Sequence, residues 1–427
     1  MHTFVEESLG WTSLLIIFTF VLIYSKKNPH IKNILLVAFF IRALFIILEQ
    51  YGLIAIPDGN SFPSDATRFE LIARLWSSGT MFPFAGTHEI YKQKGFSVLL
   101  DFFEKDSLLI ARIISIFYTI FGESIMMAKS ISLALALVSI YMLYILSLEI
   151  WNQESALKAA WVFSLFPSFI LYSVITLREV YIIFFLLISL IGIAKYLKKK
   201  SFTSFLQIVF GFYFSSLFHG PVAIGFFVFL LYLIIDIAYK QFLKLKFLKI
   251  NLIPIFFIII FFVPIYLLIN SSIKLPYLGS FESLTNIEYL LHKANIGFNG
   301  PASYPSWLII GNINEIFPKT FVKVLYFLYS PFVWEIKQFS HIIGFFDGTL
   351  YIILTIYLCI NWKNIWSSPI TRVFLLIFIS YIIIYGFGLG NFGTAFRHRS
   401  KFLIILIVLT APKIHKFIFS STKKIYK

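Results

Sequence analysis

Only one cysteine, Cys359, occurs in 427 residues, and it lies inside an apolar run. That excludes an intrachain disulfide and any cysteine-based metal site. Acidic residues are also scarce: 20 Asp and Glu stand against 36 Lys and Arg, a formal charge of +16. No two histidines are spaced as metal ligands. There is no P-loop, no glycine-rich dinucleotide fingerprint and no nucleophile elbow. Low-complexity tails, internal repeats and a soluble-domain composition are missing too. No cleavable signal peptide is expected, because Glu6 and Glu7 replace the basic n-region and Lys26-Lys27 follows the first apolar run.

What the chain has is apolar length. Apolar residues make up 59% of it and mean hydropathy is +0.87. Runs long enough to cross a bilayer as helices, about 17–25 residues, recur throughout. The fold class expected is therefore all-α, a polytopic membrane protein. A β-barrel would show short alternating segments instead. In a soluble protein the positive charge would point to nucleic acid. Here most of it sits in short loops between apolar runs, so it reports orientation, and no nucleic-acid partner is expected.

Spans are expected at roughly 9–25, 33–56, 124–148, 157–175, 180–197, 202–218, 221–239, 250–270, 342–360, 371–389 and 401–418. Lys26-Lys27 with Lys32, Lys195 with Lys198–Lys200, the group Lys240, Lys244, Lys246 and Lys249, and the tail from Lys413 to Lys427 are four basic clusters. With about eleven spans and the N-terminus outside, all four fall on one side, which the positive-inside rule makes the cytoplasm, and the C-terminus is cytoplasmic. The shorter apolar stretches Leu108–Phe121 and Phe321–Trp334 are then interfacial or re-entrant helices on the outer face. Two large outer loops follow, at 57–123 and 271–341, rich in aromatic residues, proline and glycine. The chain reads as one integral-membrane domain, 1–427.

One charged segment lies on the wrong side for this topology. Gly390-Asn391-Phe392-Gly393-Thr394-Ala395-Phe396-Arg397-His398-Arg399-Ser400-Lys401 joins two apolar runs on the outer face, where lysine and arginine are normally avoided. Arg397, His398 and Arg399 there suit an anionic ligand such as a lipid phosphate or pyrophosphate. Lys92 and Lys94, in His88-Glu89-Ile90-Tyr91-Lys92-Gln93-Lys94, are also outer basic residues, either phosphate contacts or solvated loop charges. Arg178-Glu179 at an outer helix end either neutralises itself or lines a polar cavity. His219, in a tight outer turn before Gly220-Pro221, is a structural residue or a substrate contact.

Asp65 opens a predicted helix through Ser78, ended by Gly79. Its apolar residues, Phe69, Ile72 and Trp76 with Leu71 and Leu75, predict an amphipathic helix lying on the membrane. Asp65 is then a helix cap or a general base at the water–lipid boundary. Arg42 and Glu49 are seven residues apart on one helical face and predict an intramembrane pair. Asp347, beside Gly348 in an outer half-span, has no assignment.

Several of these elements together resemble the GT-C superfamily of integral-membrane glycosyltransferases. They are Asp65-Ala66-Thr67-Arg68-Phe69 after an early span, Lys94-Gly95-Phe96, and Ile120-Phe121-Gly122-Glu123-Ser124. Leu165-Phe166-Pro167-Ser168, Tyr172-Ser173 and Arg178-Glu179 follow, with Tyr329–Trp334 and Asn391–Arg399 later. The likeness is best over about 33–240 and lies nearest to bacterial relatives of protein O-mannosyltransferases and of the aminoarabinose transferase. An extra span before the usual first one and the lack of a large C-terminal soluble domain depart from the pattern. The resemblance implies a sugar taken from a polyprenyl-phosphate donor at the outer face of a bacterial cytoplasmic membrane. It implies Asp65 as the catalytic acidic residue and Lys94 as a phosphate contact.

The expected function is transfer of a sugar or oligosaccharide from a polyprenyl-(pyro)phosphate donor to a glycan acceptor, in surface-polysaccharide synthesis. Asp65 would deprotonate the acceptor, direct displacement would invert the anomeric centre, and Arg397 and Arg399 would hold the leaving phosphate. Trp307, Tyr304 and Trp334 are candidates for stacking on sugar faces. Apart from the lipid-linked donor, no cofactor is required by the sequence, and a divalent metal is left open. Membrane lipid and other polysaccharide-assembly proteins are the further partners expected. The alternatives are an O-antigen-type repeat-unit polymerase and, in another class, a flippase for lipid-linked sugars.

Overall fold

A computed structural model describes residues 4–56, 65–79, 108–245, 286–298 and 300–414. Among these residues every regular element is helical, apart from an isolated bridge between Ser303 and Asn391. The N-terminal half runs α1 (Phe4–Lys27), α2 (Lys32–Gln50), α3 (Asp65–Gly79), α4 (Leu109–Phe121), α5 (Ile125–Ile150), α6 (Gln153–Leu165), α7 (Pro167–Tyr172), α8 (Glu179–Lys199), α9 (Phe202–Phe218) and α10 (Ile224–Leu245). The C-terminal half runs α11 (Ile287–Ala294), α12 (Ile316–Tyr329), α13 (Phe339–Ile360), α14 (Trp362–Ser367), α15 (Pro369–Gly388), α16 (Phe392–Arg399) and α17 (Leu403–Thr410).

Seven helical segments among the described residues are long and apolar enough to cross a membrane: Phe4–Lys27, Lys32–Gln50, Ile125–Ile150, Glu179–Lys199, Gly220–Lys240, His341–Ile360 and Pro369–Gly388. The chain is a polytopic helical membrane protein. The expected span at 202–218 is a helix of 17 residues. The span expected at 250–270, the side chains of Lys244 to Lys249 and the tail beyond residue 414 lie outside the described residues.

One expected span is a broken helix. The run 157–175 is α6 followed by the short α7, separated at Phe166. Pro167 has no amide hydrogen and its ring clashes with a continuing helix, so the break falls there. A break leaves carbonyls at one end and amides at the other, which lipid cannot satisfy. Arg42 donates to the Ser164 carbonyl at 3.0 Å and to Ser173 Oγ at 2.7 Å. Asp347 accepts from the Ser168 amide at 3.0 Å. A cation at a helix C-terminus and an anion at the next N-terminus also match the helix dipoles. This corrects the expected Arg42–Glu49 pair: Glu49 instead pairs with Lys129 of α5. The shared helical face was real, but each side chain turned to a closer charge or open carbonyl on another helix.

The final apolar run opens on a turn after a short polar helix. α16 and the eight-residue α17 are separated at Ser400–Phe402, and every residue from Ser400 to Ala411 is buried. Trp151 Nε1 donates to the Val408 carbonyl and Asn361 Nδ2 to that of Leu409, both at 2.8 Å, so side chains close the end of α17. Because Trp151 precedes α6 and Val408 lies near the end of α17, the two run antiparallel, side by side.

The amphipathic α3 does not present its apolar face to lipid. Phe69, Ile72, Ala73 and Trp76 are buried against α4, where Ile110, Ala111, Ile114 and Tyr118 are buried in turn. A 15-residue helix is marginal alone, so this packing is what holds α3. α12 is short as well, and at its end Tyr329 lies against Gly348 of α13 and donates from its hydroxyl to Thr355 Oγ1 at 3.1 Å. Lys323 of α12 is fully buried and donates to the last carbonyls of α11 (Ala294) and α15 (Phe387, 2.7 Å), capping both helices.

Candidate functional site

The segment between α7 and α8, Ser173–Arg178, is irregular backbone yet wholly buried. It lies along α3. Thr176 Oγ1 donates to Glu70 Oε1 at 2.7 Å and lies 3.4 Å from the Ala66 carbonyl. The contact fixes the start of α3 beside the start of α8, so Asp65 and Glu179 share one place. α16 completes it. Its N-cap Asn391 accepts from the amides of Gly393 (2.7 Å) and Thr394 (3.2 Å). The segment before α12 clamps the same point, through Tyr304 N to Gly390 O at 2.8 Å and Phe392 N to Ala302 O at 2.9 Å.

Arg397 is the hub. Its Nη1 donates to Asp65 Oδ2 at 2.5 Å and its Nε to Glu179 Oε1 at 2.6 Å. The planar fork suits two carboxylates at once, which a lysine does not match. Arg68 Nη1 stands 4.0 Å from Asp65 Oδ1. Lys401 Nζ is 3.5 Å from Glu179 Oε1 and 2.6 Å from His398 Nδ1. The His398 ring lies 5.2 Å from that of His219, edge to face, and 5.2 Å from Tyr385. Tyr385 and His219 share a 2.9 Å hydrogen bond between hydroxyl and Nδ1. Arg178 precedes α8 and adds its field to His219 and His398.

Burial pulls Arg397 down, but the carboxylates of Glu179 and Asp65 outweigh it and raise its pKa, so it is permanently cationic. For His219, burial first, then Lys401, His398, Arg178 and Arg397, hold the pKa well below the usual imidazole range. His398 is held down the same way, by burial, Lys401, Arg397 and Arg178. Glu179 Oε2 and Arg397 Nη2 are buried with no hydrogen-bond partner among the described residues. Two carboxylates thus face three arginines, Arg68, Arg178 and Arg397, with the enclosed Lys401 amine beside them. The cluster has spare positive charge and spare hydrogen-bonding capacity, which fits an anionic oxygen ligand. Among the described residues no group of three His, Cys, Asp or Glu could hold a metal ion.

Six sequence-expected residues, Asp65, Arg178, Glu179, His219, Arg397 and His398, therefore converge. Arg399 does not join them. Its five N–H groups go to Asp347 Oδ2 (Nε 3.0 Å, Nη2 2.9 Å) and to the carbonyls of Leu328, Ser330 and Gly344 at 2.7–3.1 Å. No N–H remains for a phosphate, so the expected ligand contact is corrected to a brace tying α16 to α13 and α12. Asp347, unassigned from sequence, is its counter-ion. Lys92 and Lys94 lie outside the described residues. Tyr304 is buried against Tyr326 and cannot stack on a sugar, whereas Trp307 and Trp334 are exposed. Sequence reasoning missed Tyr385, and placed Lys401 in the charged segment without a role. Lys401 stands three residues after His398, a helical-turn spacing that could have flagged it.

No protein-family model, no curated protein and no solved structure matches the chain.

Proposed function

We propose that this protein is a membrane glycosyltransferase acting at the outer face of a bacterial cytoplasmic membrane. It takes a sugar or oligosaccharide from a polyprenyl-(pyro)phosphate donor and passes it to a glycan acceptor in surface-polysaccharide synthesis. The observation that carries this is the Asp65–Arg397–Glu179 chain. It sets the carboxylate that opens α3 directly beside a cation whose remaining donor edge has no described partner. Asp65 takes the proton of the acceptor hydroxyl through Oδ1, the oxygen not held by Arg397. The acceptor oxygen bonds to the anomeric carbon as the bond from that carbon to the lipid phosphate oxygen breaks. Arg397, with Arg178 behind it, stabilises the charge gathering on that phosphate. Displacement of this kind inverts the anomeric centre.

The broken helix at Phe166 favours a second reading, a flippase, because transporters place substrate at such breaks. Against it, the ends here are closed by the protein's own Arg42 and Asp347. Glycosyl transfer is the better supported of the two.

The test is the length profile of the cell-surface glycan on a gel, with the gene deleted and then complemented by wild type or Asp65→Asn. Loss of the ladder down to one repeat unit, unrescued by Asp65→Asn at normal abundance, is the outcome for a polymerase. An intact ladder with each band short of one sugar is the outcome for a single-sugar transferase. Full rescue by Asp65→Asn removes Asp65 from the mechanism.

A further inference from the structure

We propose that the end of the bundle remote from Arg397 holds the phosphate of an anionic glycerophospholipid, in a notch framed by the ends of α8 and α10 and the first turns of α15. α8 starts at Glu179, in the charged cluster, and its 21 residues carry it about 30 Å away. Two contacts set the register of the other helices. Tyr385 hydrogen-bonds to His219 at 2.9 Å, and Tyr381 donates to the Val222 carbonyl at 2.7 Å, so α15 runs antiparallel to the segment that leads into α10. Arg372 stands thirteen residues before Tyr385, and Tyr232 thirteen after His219, which brings them level. On the other flank the Tyr196 ring of α8 lies 6.0 Å from that of Phe229, and Lys200 Nζ folds back to 4.9 Å from the centre of the Tyr196 ring.

Three cations meet at this level against one carboxylate. Lys240 pairs with Asp236 at 2.6 Å. Tyr232 lies in the field of Arg372, Asp236 and Lys240, and Lys200 in that of Asp236 and Lys240. One ion pair is complete, and Lys200 and Arg372 are left over. Lys198, close by in sequence, is answered by Glu149 at 2.9 Å. Arg372 is different. Its Nε is enclosed and has no hydrogen-bond partner among the described residues. An enclosed N–H left unmet is costly, and an anionic oxygen satisfies it best.

The apolar surface beside the notch makes the ligand a lipid. Leu231 and Ile235, one turn apart on α10, are both exposed next to Tyr232 and Asp236. Acyl chains can lie on that face while the phosphate sits between Lys200 and Arg372. Basic pockets between membrane helices take anionic headgroups in this way. The site is independent of the glycosyl-transfer reading.

The experiment is native mass spectrometry of the full-length protein in neutral detergent, titrated with phosphatidylglycerol, phosphatidylcholine or inorganic phosphate. Phosphatidylglycerol should bind the more tightly of the two lipids. Arg372→Gln and Lys200→Gln should each weaken it about tenfold, the loss of one charge-assisted contact. Lys200 is exposed, so Lys200→Gln keeps the test open if Arg372→Gln does not fold. Lys199→Gln deletes the same charge one residue away and should leave binding unchanged. Equal affinity for the two lipids overturns the proposal. So does an equal loss in Lys199→Gln, which would show a diffuse positive surface. Inorganic phosphate that displaces phosphatidylglycerol at equal concentration overturns the lipid as occupant and leaves a free-phosphate site.

Discussion

Arg397 and Arg399 stand two residues apart on α16 and have opposite jobs. Arg397 bridges two carboxylates and keeps a donor edge without a described partner. Arg399 spends every N–H on Asp347 and three carbonyls. Removing one partner of a buried pair strands the other charge, at about 3–5 kcal/mol. Arg399→Ala and Asp347→Ala should each therefore lower the melting temperature in detergent sharply. Arg397→Ala leaves Glu179 with Lys401 and Asp65 partly exposed, so its stability loss should be the smaller while donor-dependent activity disappears. Equal melting losses for Arg397→Ala and Arg399→Ala would erase the distinction. Nothing in the sequence separates these two arginines, because each role is set by a partner far along the chain. Asp65 lies 332 positions from Arg397, and Asp347 lies 52 from Arg399.

Helix pairing follows from small residues. α8 and α9 form a close hairpin, turned at Lys200 in a left-handed conformation (φ 51°) and restarted by the Ser201 cap. Gly211 makes the close approach possible: a methyl group there would stand 2.3 Å from Ser189 Oγ and 2.6 Å from the Phe185 carbonyl. Gly211→Ala should cost about 1–3 kcal/mol by overpacking. Gly388→Ala, which meets nothing within 4 Å, is the control, and thermal melts of the two variants decide it. Apolar run length made most of these helices legible, including α3 to within a residue. The break inside 157–175 was not, although Pro167 marks it. Hydropathy averages over a window and does not register where a backbone hydrogen bond is handed to Arg42 or Asp347.

At the scale of the whole molecule, orientation is a prediction of the lysine distribution. Cys359 is the sole cysteine, so Cys359→Ser gives a clean background. Ser78 at the end of α3 and Lys199 at the end of α8 are both exposed. A cysteine placed at Ser78 should react with a membrane-impermeant maleimide on intact cells, and one at Lys199 only after permeabilisation. The reverse pattern would turn the protein over and remove the outer-face site.

The sequence by itself determined the solvent and the class. Apolar runs, few acids and clustered lysines are local quantities, and a bilayer acts on each segment locally. It also marked the residues worth watching, because charge is rare enough here that almost every buried charge has work to do. Tertiary structure decided which charges share a site. It brought Asp65, Glu179, Arg397, His398 and Lys401 together and set Arg399 aside as a brace. It also turned the apolar face of α3 from lipid to α4. The physical reason is that a buried charge must find its counter-charge wherever the packing of distant helices places one, and no window along the chain contains that information.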